Sequence, residues 1–524
     1  MDVQKISIYA VSCVPLDMSR RTATLELMLP ARNSGTSAYR WLYSALRASI
    51  LEGRLGRGSQ LPATRDLATQ YGLSRGTIVR AFEELKSEGY LEGSMGSGTY
   101  VSKVLPDELL QVTRKAGVNA RTPRKQQRGV SDYGRRVGLF PNSELRPIRA
   151  FRANLPALDL FPTTLWAQVA ARRWRSASTK LLSSCEPMGY HPLRVAVSEY
   201  LNTSRGVKCI PEQVAIVSGV QEALDLVARL LISPGDRVCM EDPGYTGATM
   251  VFEALGAKIS AARVDDEGME LREASLRDAR LIYVTPGHQF PLGITMSLPR
   301  RLALLGWAQK CGALIFEDDY DSEYRYSGRP VPALQGLDRN DVVIFAGSFS
   351  KVLFPSLRLG YVVIPMDLVD YFAATLSVTT RYAPLPEQAV LCDFIAEGHF
   401  GRHLRRMRQV YAERSSVLLE TARQKLAGLL EISPIEAGLQ TVGWLCAGID
   451  GASAAKAASI RNVEVVPLSV YTRSRMAQEG LQLGFAAVDK REIRRGVLEL
   501  AIALEQEVKA SRHGSSTTGR SHPK

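Results

Sequence analysis

Residues 347–360 read GSFSKVLFPSLRLG. An apolar run, VVIFA (342–346), enters this stretch, and a second, YVVI (361–364), leaves it. Between the two stand Ser348, Ser350, Lys351 and, seven positions past the lysine, Arg358. Most lysines on connecting turns are simply solvated. A lysine held partly out of water at the end of a strand is different: it is an amine suited to condense with a carbonyl. What the chain places at its other strand ends decides between the two.

Over residues 151–508, short apolar runs (VAIVS, RVCME, LIYVT, ALIFED, VVIFA) alternate with helical stretches such as QEALDLVARLL and PRRLALLGWAQKCG. That alternation predicts a largely parallel α/β sheet. Ligands of such sheets bind beyond the carboxyl ends of the strands. SGVQEALDL (218–226) sets Ser218 and Gly219 between a strand and a helix whose first amides can cradle an anion. EDPGYTG (241–247) follows another strand and offers Tyr245 as a stacking ring. EDDY (317–320) follows ALIF and puts Asp318 at a strand end. Each alone has an ordinary reading: a packed tyrosine, helix-capping aspartates, a glycine turn. Together with Lys351 they match what pyridoxal phosphate requires. Its aldehyde needs a lysine, its ring nitrogen a carboxylate, its ring faces packing, and its phosphate an arginine with amides or hydroxyls.

A chain of 524 residues predicts two or more domains, and 45% hydrophobic with 23% charged residues is ordinary globular composition. No apolar run is long enough for a membrane span, and MDVQKISIYAVSCVPLDMSRR reads as neither signal peptide nor anchor. The seven cysteines form no CxxC pair, which argues against zinc sites and a disulfide framework and fits a reducing cytoplasm. The net charge is +13, and residues 111–150 hold ten Lys/Arg against Asp132 and Glu144. Such a segment favours a polyanion, nucleic acid first, or is a solvated basic linker.

Residues 61–85 read LPATRDLATQYGLSRGTIVRAFEEL. Thr64 is placed to cap a helix carrying Leu67, Ala68 and Tyr71 inward, and Gly72 ends it. Ser74 caps a second helix with Ile78, Phe82 and Leu85 on one face. Two short helices joined by a glycine turn predict a helix-turn-helix with Arg75, Gly76 and Thr77 at the groove-entering end. GYLEGSMGSGTYV then reads as a two-stranded wing, with Gly96 allowing close approach to a minor groove or a phosphate. The bland alternative is a helical hairpin without a ligand. Upstream, LELML is a strand-like patch.

From YSALRASILEGRLGRGSQLPATRDLA through the wing, residues 38–102 resemble the winged helix of GntR-type bacterial regulators. The resemblance implies DNA contacts from Arg65, Ser74, Arg75, Thr77 and Gly96; Val79 stands where some members carry a further arginine. SGVQEALDLVARLLISPGDRVCMEDPGYTG, TPGHQFPLGITMSLPRRLALLGWA and EDDYDSEYRYSGRPVPALQGLDR with GSFSKVLFPSLRLGY resemble fold-type-I aminotransferases. More narrowly they resemble the aminotransferase-like domain of MocR-type regulators. The implied fold is a small winged helix-turn-helix domain plus a large α/β PLP-dependent transferase domain of fold type I. The implied organisation is an irregular extension (1–35), the winged helix (36–103), a basic linker (104–150), the aminotransferase-like domain (151–508) and a disordered tail (509–524). By the resemblance, which begins near residue 24 and leaves Met18 and Met28 as alternative starts, Lys351 would hold pyridoxal phosphate as an internal aldimine. Asp318 would pair with the ring nitrogen, Tyr320 with the phenolic oxygen, and Tyr245 would stack on the ring. Ser218, Gly219, Ser348 and Arg358 would hold phosphate. His288 and Gln289 occupy the loop that elsewhere supplies an asparagine to the ring oxygen.

Three positions depart from that pattern. Gln482, in GLQLGFAA, stands where aminotransferases clamp a substrate carboxylate with arginine. Ser184 replaces a tyrosine that commonly reaches the neighbouring subunit's phosphate. Gly247 leaves open a site where some members place an arginine, and Arg473 and Arg475 are candidate substitute anion sites. A neutral amide does not replace a bidentate cation. The sequence therefore favours a cytoplasmic transcriptional regulator that binds double-stranded operator DNA and senses the cofactor or an amine effector, and the family resemblance implies a head-to-tail homodimer. The competing readings are an active aminotransferase with an accessory winged helix and a large domain that is only a dimerisation scaffold.

Overall fold

The computed structural model describes residues 27–32, 35–94, 98–106, 129–140, 147–183, 185–327, 331–446 and 448–517. The chain separates into two units, Met1–Arg128 and Gly129–Lys524.

The first unit contains α1 (Ala38–Leu51), α2 (Thr64–Tyr71), α3 (Arg75–Ser87) and the antiparallel hairpin β1 (Leu91–Ser94) and β2 (Gly98–Val101). Its core is Leu42, Leu46, Ile50, Leu67, Ile78, Phe82 and Leu85, the inward faces that helical spacing selects. Ser74 caps α3, its side chain accepting from Thr77 N at 3.1 Å, and Gly72 closes α2 in the left-handed conformation at φ 64°. Thr64 does not cap α2: the helix begins at Thr64 itself, with Ala63 as the N-cap and no side-chain bond. Asp66 supplies the negative charge that the first turn favours. The strand expected over LELML does not form across its described part. The Leu27 carbonyl is taken by the side chains of Gln70 and Tyr71, and Leu27 enters the core. Gly96 lies outside the described residues. At the base of the wing, Gly98 has φ 112°, and a Cβ there would meet Gln60 Nε2 at 2.6 Å.

The second unit starts inside the basic segment rather than at residue 151. Ser131 caps a helix over Asp132–Val137, and Arg136 Nε donates to the Ala254 carbonyl at 2.8 Å. Eight strands form its main sheet: β3 (Val214–Val217), β4 (Arg237–Asp242), β5 (Lys258–Asp265), β6 (Gly268–Met269), β7 (Ala279–Val284), β8 (Leu314–Asp319), β9 (Val343–Ser348) and β10 (Gly360–Val363). Their order is β3-β10-β9-β8-β7-β4-β5-β6. The run from β5 through β9 is parallel, while β10 is antiparallel to both its neighbours. The central strands are buried on both faces, so they read in the sequence as continuous apolar runs. A second, antiparallel sheet has the order β11-β12-β14-β13, from β11 (Leu430–Ile432), β12 (Gln440–Leu445), β13 (Val466–Pro467) and β14 (Gly480–Gly484). The last helix, Lys490–Thr517, continues into the segment expected as a tail; residues 518–524 lie outside the described residues. Among the described residues no helix is long and apolar enough to cross a membrane.

Candidate functional site

The alternation of β8 sorts three consecutive acids. Glu317 and Asp319 point one way: Glu317 accepts from the amides of Leu334 and Gln335 at 2.7 and 2.8 Å, and Asp319 takes Arg205 Nε at 2.9 Å. Asp318 points the other way, into a cavity of 380 Å³. Its Oδ2 accepts from the Tyr283 hydroxyl at 2.7 Å, while its Oδ1 is buried without a partner. Burial drives its pKa up to about 7; the Tyr283 bond and the Lys351 charge oppose this, and Asp319 and Asp321 add to it. A buried carboxylate oxygen with no donor is costly. It is suited to a protonated ring nitrogen.

Lys351 lines the same cavity. It sits on a one-turn helix, Phe349–Val352, that Ser348 caps by accepting from Ser350 N at 3.1 Å. Its Nζ donates to the Asn154 carbonyl at 2.7 Å. Removal from water lowers its pKa to about 8, against the raising pull of Asp321 and Asp318. At neutral pH a useful fraction of the amine is therefore uncharged and nucleophilic.

At another part of the cavity wall, Gly219 precedes the helix Val220–Leu231 with φ 134°, and a Cβ on it would lie 3.7 Å from the Arg358 guanidinium. Val220 and Gln221 open that helix and line the cavity with Ser348, Ser350 and Arg358. A helix start, a guanidinium and two hydroxyls form an anion cradle. Tyr245, Tyr320, Tyr283 and Phe290 supply aromatic wall, and Tyr245 meets Phe290 edge-on at 5.7 Å. The donor set fits pyridoxal phosphate: an amine, an unpartnered carboxylate oxygen, aromatic faces and an anion cradle around one cavity.

Not every expected residue reaches that cavity. Ser218 is absent from its lining, and its amide is occupied by the Glu222 carboxylate. His288 lies behind Tyr320: its Nδ1 is 2.9 Å from Asp321 Oδ1 and 3.1 Å from the Tyr320 hydroxyl. It can orient the phenol but does not line the cavity. Gln289 turns away, with Nε2 donating to the carbonyls of Pro243 and Phe290 at 2.9 and 2.7 Å. These satisfied loop bonds are what remove both side chains from the cavity.

The departures from the aminotransferase pattern resolve differently. Gln482 is fully buried on β14, with Oε1 accepting from the Tyr471 hydroxyl at 2.8 Å and Nε2 without a partner. Gly247 leaves no open site: a Cβ there would meet Tyr245 Cζ at 2.4 Å and Gln221 Oε1 at 2.6 Å. Arg473 is exposed and pairs with Glu253 at 2.7 Å, and Arg475 is exposed too, so neither lines the cavity. Ser184 lies outside the described residues. Asn154, Tyr283, Thr285 and Phe290 are lining residues that the sequence did not single out. Tyr283 carried a signal, as the central residue of the run LIYVT read as a strand. Asn154 carried none, since it stands 197 positions from the lysine it touches.

In the first unit, Arg65, Ser74, Arg75 and Gly76 are exposed and Thr77 is half-buried at the starts of α2 and α3. Val79 is 39% exposed on α3, so the position offers an apolar contact where an arginine would offer charge.

Residues 38–101 match the family model of bacterial regulatory proteins of the gntR family, and residues 151–498 match that of aminotransferase class I and II. The probable rhizopine catabolism regulatory protein MocR of Rhizobium meliloti is 41% identical over 474 residues, 90% of this chain and 95% of that protein. The pyridoxine biosynthesis transcriptional regulator PdxR of Corynebacterium glutamicum is 30% identical over 471 residues, 90% and 96% of the two chains. Among solved structures, the α-aminoadipate aminotransferase LysN of Thermus thermophilus, complexed with N-(5'-phosphopyridoxyl)-L-leucine, superposes with a TM-score of 0.67 at 28% identity. That match covers 73% of this chain and 98% of LysN. The chain belongs to the MocR-type subfamily of GntR transcriptional regulators, a GntR winged helix fused to a fold-type-I aminotransferase-like domain.

Proposed function

We propose that this protein is a cytoplasmic, homodimeric regulator of transcription that binds operator DNA through α3 and its wing, and that its large domain holds pyridoxal phosphate and reports that state to the reader. The observation that carries the cofactor reading is the unpartnered Oδ1 of Asp318 in the cavity that Lys351 lines. When bound, pyridoxal phosphate supplies an aldehyde that amines condense with, conjugated to an electron-withdrawing ring. The chain's own residues would do the rest. Asp318 would hold a proton at the ring nitrogen, Tyr320 with His288 behind it would face the ring oxygen, and Tyr245 would cover a ring face. Gly219, Ser348, Ser350 and Arg358 would receive the phosphate. In the reader, Arg65, Ser74, Arg75, Thr77 and Gly96 would meet DNA, with Arg75 suited to a guanine edge. A two-fold, head-to-tail dimer predicts paired half-sites. The basic segment adds salt-sensitive affinity.

The test is an operator-binding assay with and without pyridoxal phosphate, on the wild type and on Lys351→Ala. The expected result is a cofactor-dependent change in affinity or half-site preference that Lys351→Ala abolishes. Indifference of DNA binding to both would sink the sensing role. The complete lysine, aspartate and tyrosine set also suits an active aminotransferase; steady turnover of an amino acid with a keto acid would favour that reading.

A further inference from the structure

The basic segment that joins the reader to the large domain contains a short helix, Asp132–Val137, which packs on the helix Thr246–Ala254. Arg136 is half-buried, and its Nε donates at 2.8 Å to the carbonyl of Ala254, the last residue of that helix. A cation suits the negative end of a helix dipole. The seat exists because Gly256, at φ 86°, has no side chain: a Cβ there would lie 3.4 Å from the Arg136 guanidinium carbon. On the same linker helix, the Tyr133 ring lies under the Arg229 guanidinium at 5.6 Å. Arg229 belongs to the last turn of the helix Val220–Leu231. The linker helix therefore touches the far ends of two helices of the large domain.

Both of those helices begin at the cavity. Gly219 and Val220 open the first at the anion cradle, and Tyr245 is the N-cap of the second. Gln221 joins the two starts. Its Nε2 donates to the Gly247 carbonyl at 2.8 Å, and its Oε1 accepts from the Tyr245 hydroxyl at 3.1 Å. At about 1.5 Å per residue, the two rods carry a displacement over roughly 14–18 Å. One pair of helices is thus tied by Gln221 at the cavity and by the linker helix at its outer end.

The docking is built to be reversible. No side chain of the linker helix is fully buried, and Val137 and Leu139 are exposed. A helix of 6 residues does not persist alone in water, so its order depends on both seats being presented together. Released, the chain would next be anchored at Ala150, whose carbonyl accepts from the Glu464 amide at 2.9 Å. The last reader core residue is Leu105. The stretch between the two anchors would grow from 106–131 to 106–149, a reach about 1.3 times longer for a flexible chain. We propose that the linker helix is a cofactor-dependent clamp: occupancy of the cavity holds the two helices where they seat Tyr133 and Arg136, and release lengthens the connection to the reader. This rests on the reading that the cavity holds pyridoxal phosphate and that the reader binds operator DNA.

The test uses the full-length protein with and without pyridoxal phosphate. Amide hydrogen exchange over 131–137 should slow by about fivefold or more on loading. The double variant Tyr133→Ala, Arg136→Ala should keep the wild-type visible band and unfolding temperature. It should lose the cofactor's effect on operator affinity and on the preferred half-site spacing. Arg135 is the control, an exposed neighbour whose partners, Asp132 and the Val130 carbonyl, lie within the linker itself. Arg135→Ala removes the same charge and should keep the cofactor's effect. Three results overturn the clamp while leaving cofactor binding intact. They are exchange over 131–137 that is unchanged or faster on loading, a cofactor effect that survives in the double variant, and loss of the effect in Arg135→Ala. If the wild type forms no visible band, or its operator binding ignores the cofactor, the underlying reading falls and the clamp falls with it.

Discussion

The backbone carbonyl of Asn154 accepts the Lys351 side-chain nitrogen at 2.7 Å, and the backbone amide of Asn154 donates to Gln440 Oε1 at 2.9 Å. Asn154 holds this pose at φ 63°, in the left-handed region that asparagine tolerates better than most residues. Gln440, on the second sheet, thereby fixes the acceptor that parks the reactive amine of the first. Gln440→Leu should leave the half-buried Asn154 amide without its side-chain partner, destabilising the large unit by about 1 kcal/mol. It should also slow cofactor uptake. Chemical denaturation and stopped-flow absorbance would check the two effects, and unchanged uptake would show that Asn154 does not position Lys351.

Cofactor uptake should follow the neutral fraction of Lys351. With its pKa lowered to about 8, the rate of pyridoxal phosphate capture should rise as pH increases through about 8 and then level off. A lysine at its usual value would keep gaining rate well above that pH. Lys351→Ala should give no stable visible band at any pH.

Asp318 makes a prediction about the unliganded protein. Its pKa is raised from the usual carboxylate range to about 7, so the folded state binds more protons than the unfolded state between those limits. The group's contribution therefore turns against folding as pH rises through that window and stays unfavourable above about 7. Asp318→Asn should remove this pH dependence, leaving the unliganded protein at least as stable as wild type at pH 8. The same change should weaken cofactor binding by at least tenfold. Melting curves across pH and equilibrium dialysis separate the two; loss of stability at pH 8 would contradict the burial account.

The reader allows stability and DNA affinity to be separated. Ser74→Ala removes the α3 cap and should cost about 1 kcal/mol of stability. Arg75 is exposed. Arg75→Ala should leave stability within about 0.5 kcal/mol while weakening specific DNA binding by about 1–3 kcal/mol. Equal operator affinity for wild type and Arg75→Ala would remove Arg75 from the interface.

Gly247 was open in the sequence and is closed in the fold. Gly247→Ala would drive a methyl into Tyr245 and Gln221. It should displace the tyrosine ring and weaken cofactor retention, with little effect on the reader's DNA affinity in the absence of cofactor. Retention equal to wild type would mean that Tyr245 does not cover the ring.

The sequence by itself determined both folds. Helical spacing and caps gave the reader, because its contacts are local: Ser74 bonds three residues on, and Gly72 ends the helix it follows. Strand-end placement marked Lys351, Asp318, Tyr245 and Gly219, because an open α/β sheet gathers its strand ends on one edge. Tertiary structure decided which neighbours enter the cavity. His288 and Gln289 look like site residues on their loop, yet Asp321, Tyr320, Pro243 and Phe290 hold them outside it. Asn154 and Gln440 carry no local mark, and only long-range packing sets them around the amine; Gln482 is marked in the sequence as a departure, but only the fold leaves its amide nitrogen an unpaired donor. The physical reason is the range of the interactions. Capping and alternation act over a few residues of chain, whereas the satisfaction of a buried polar group depends on whatever the whole fold brings within hydrogen-bond reach.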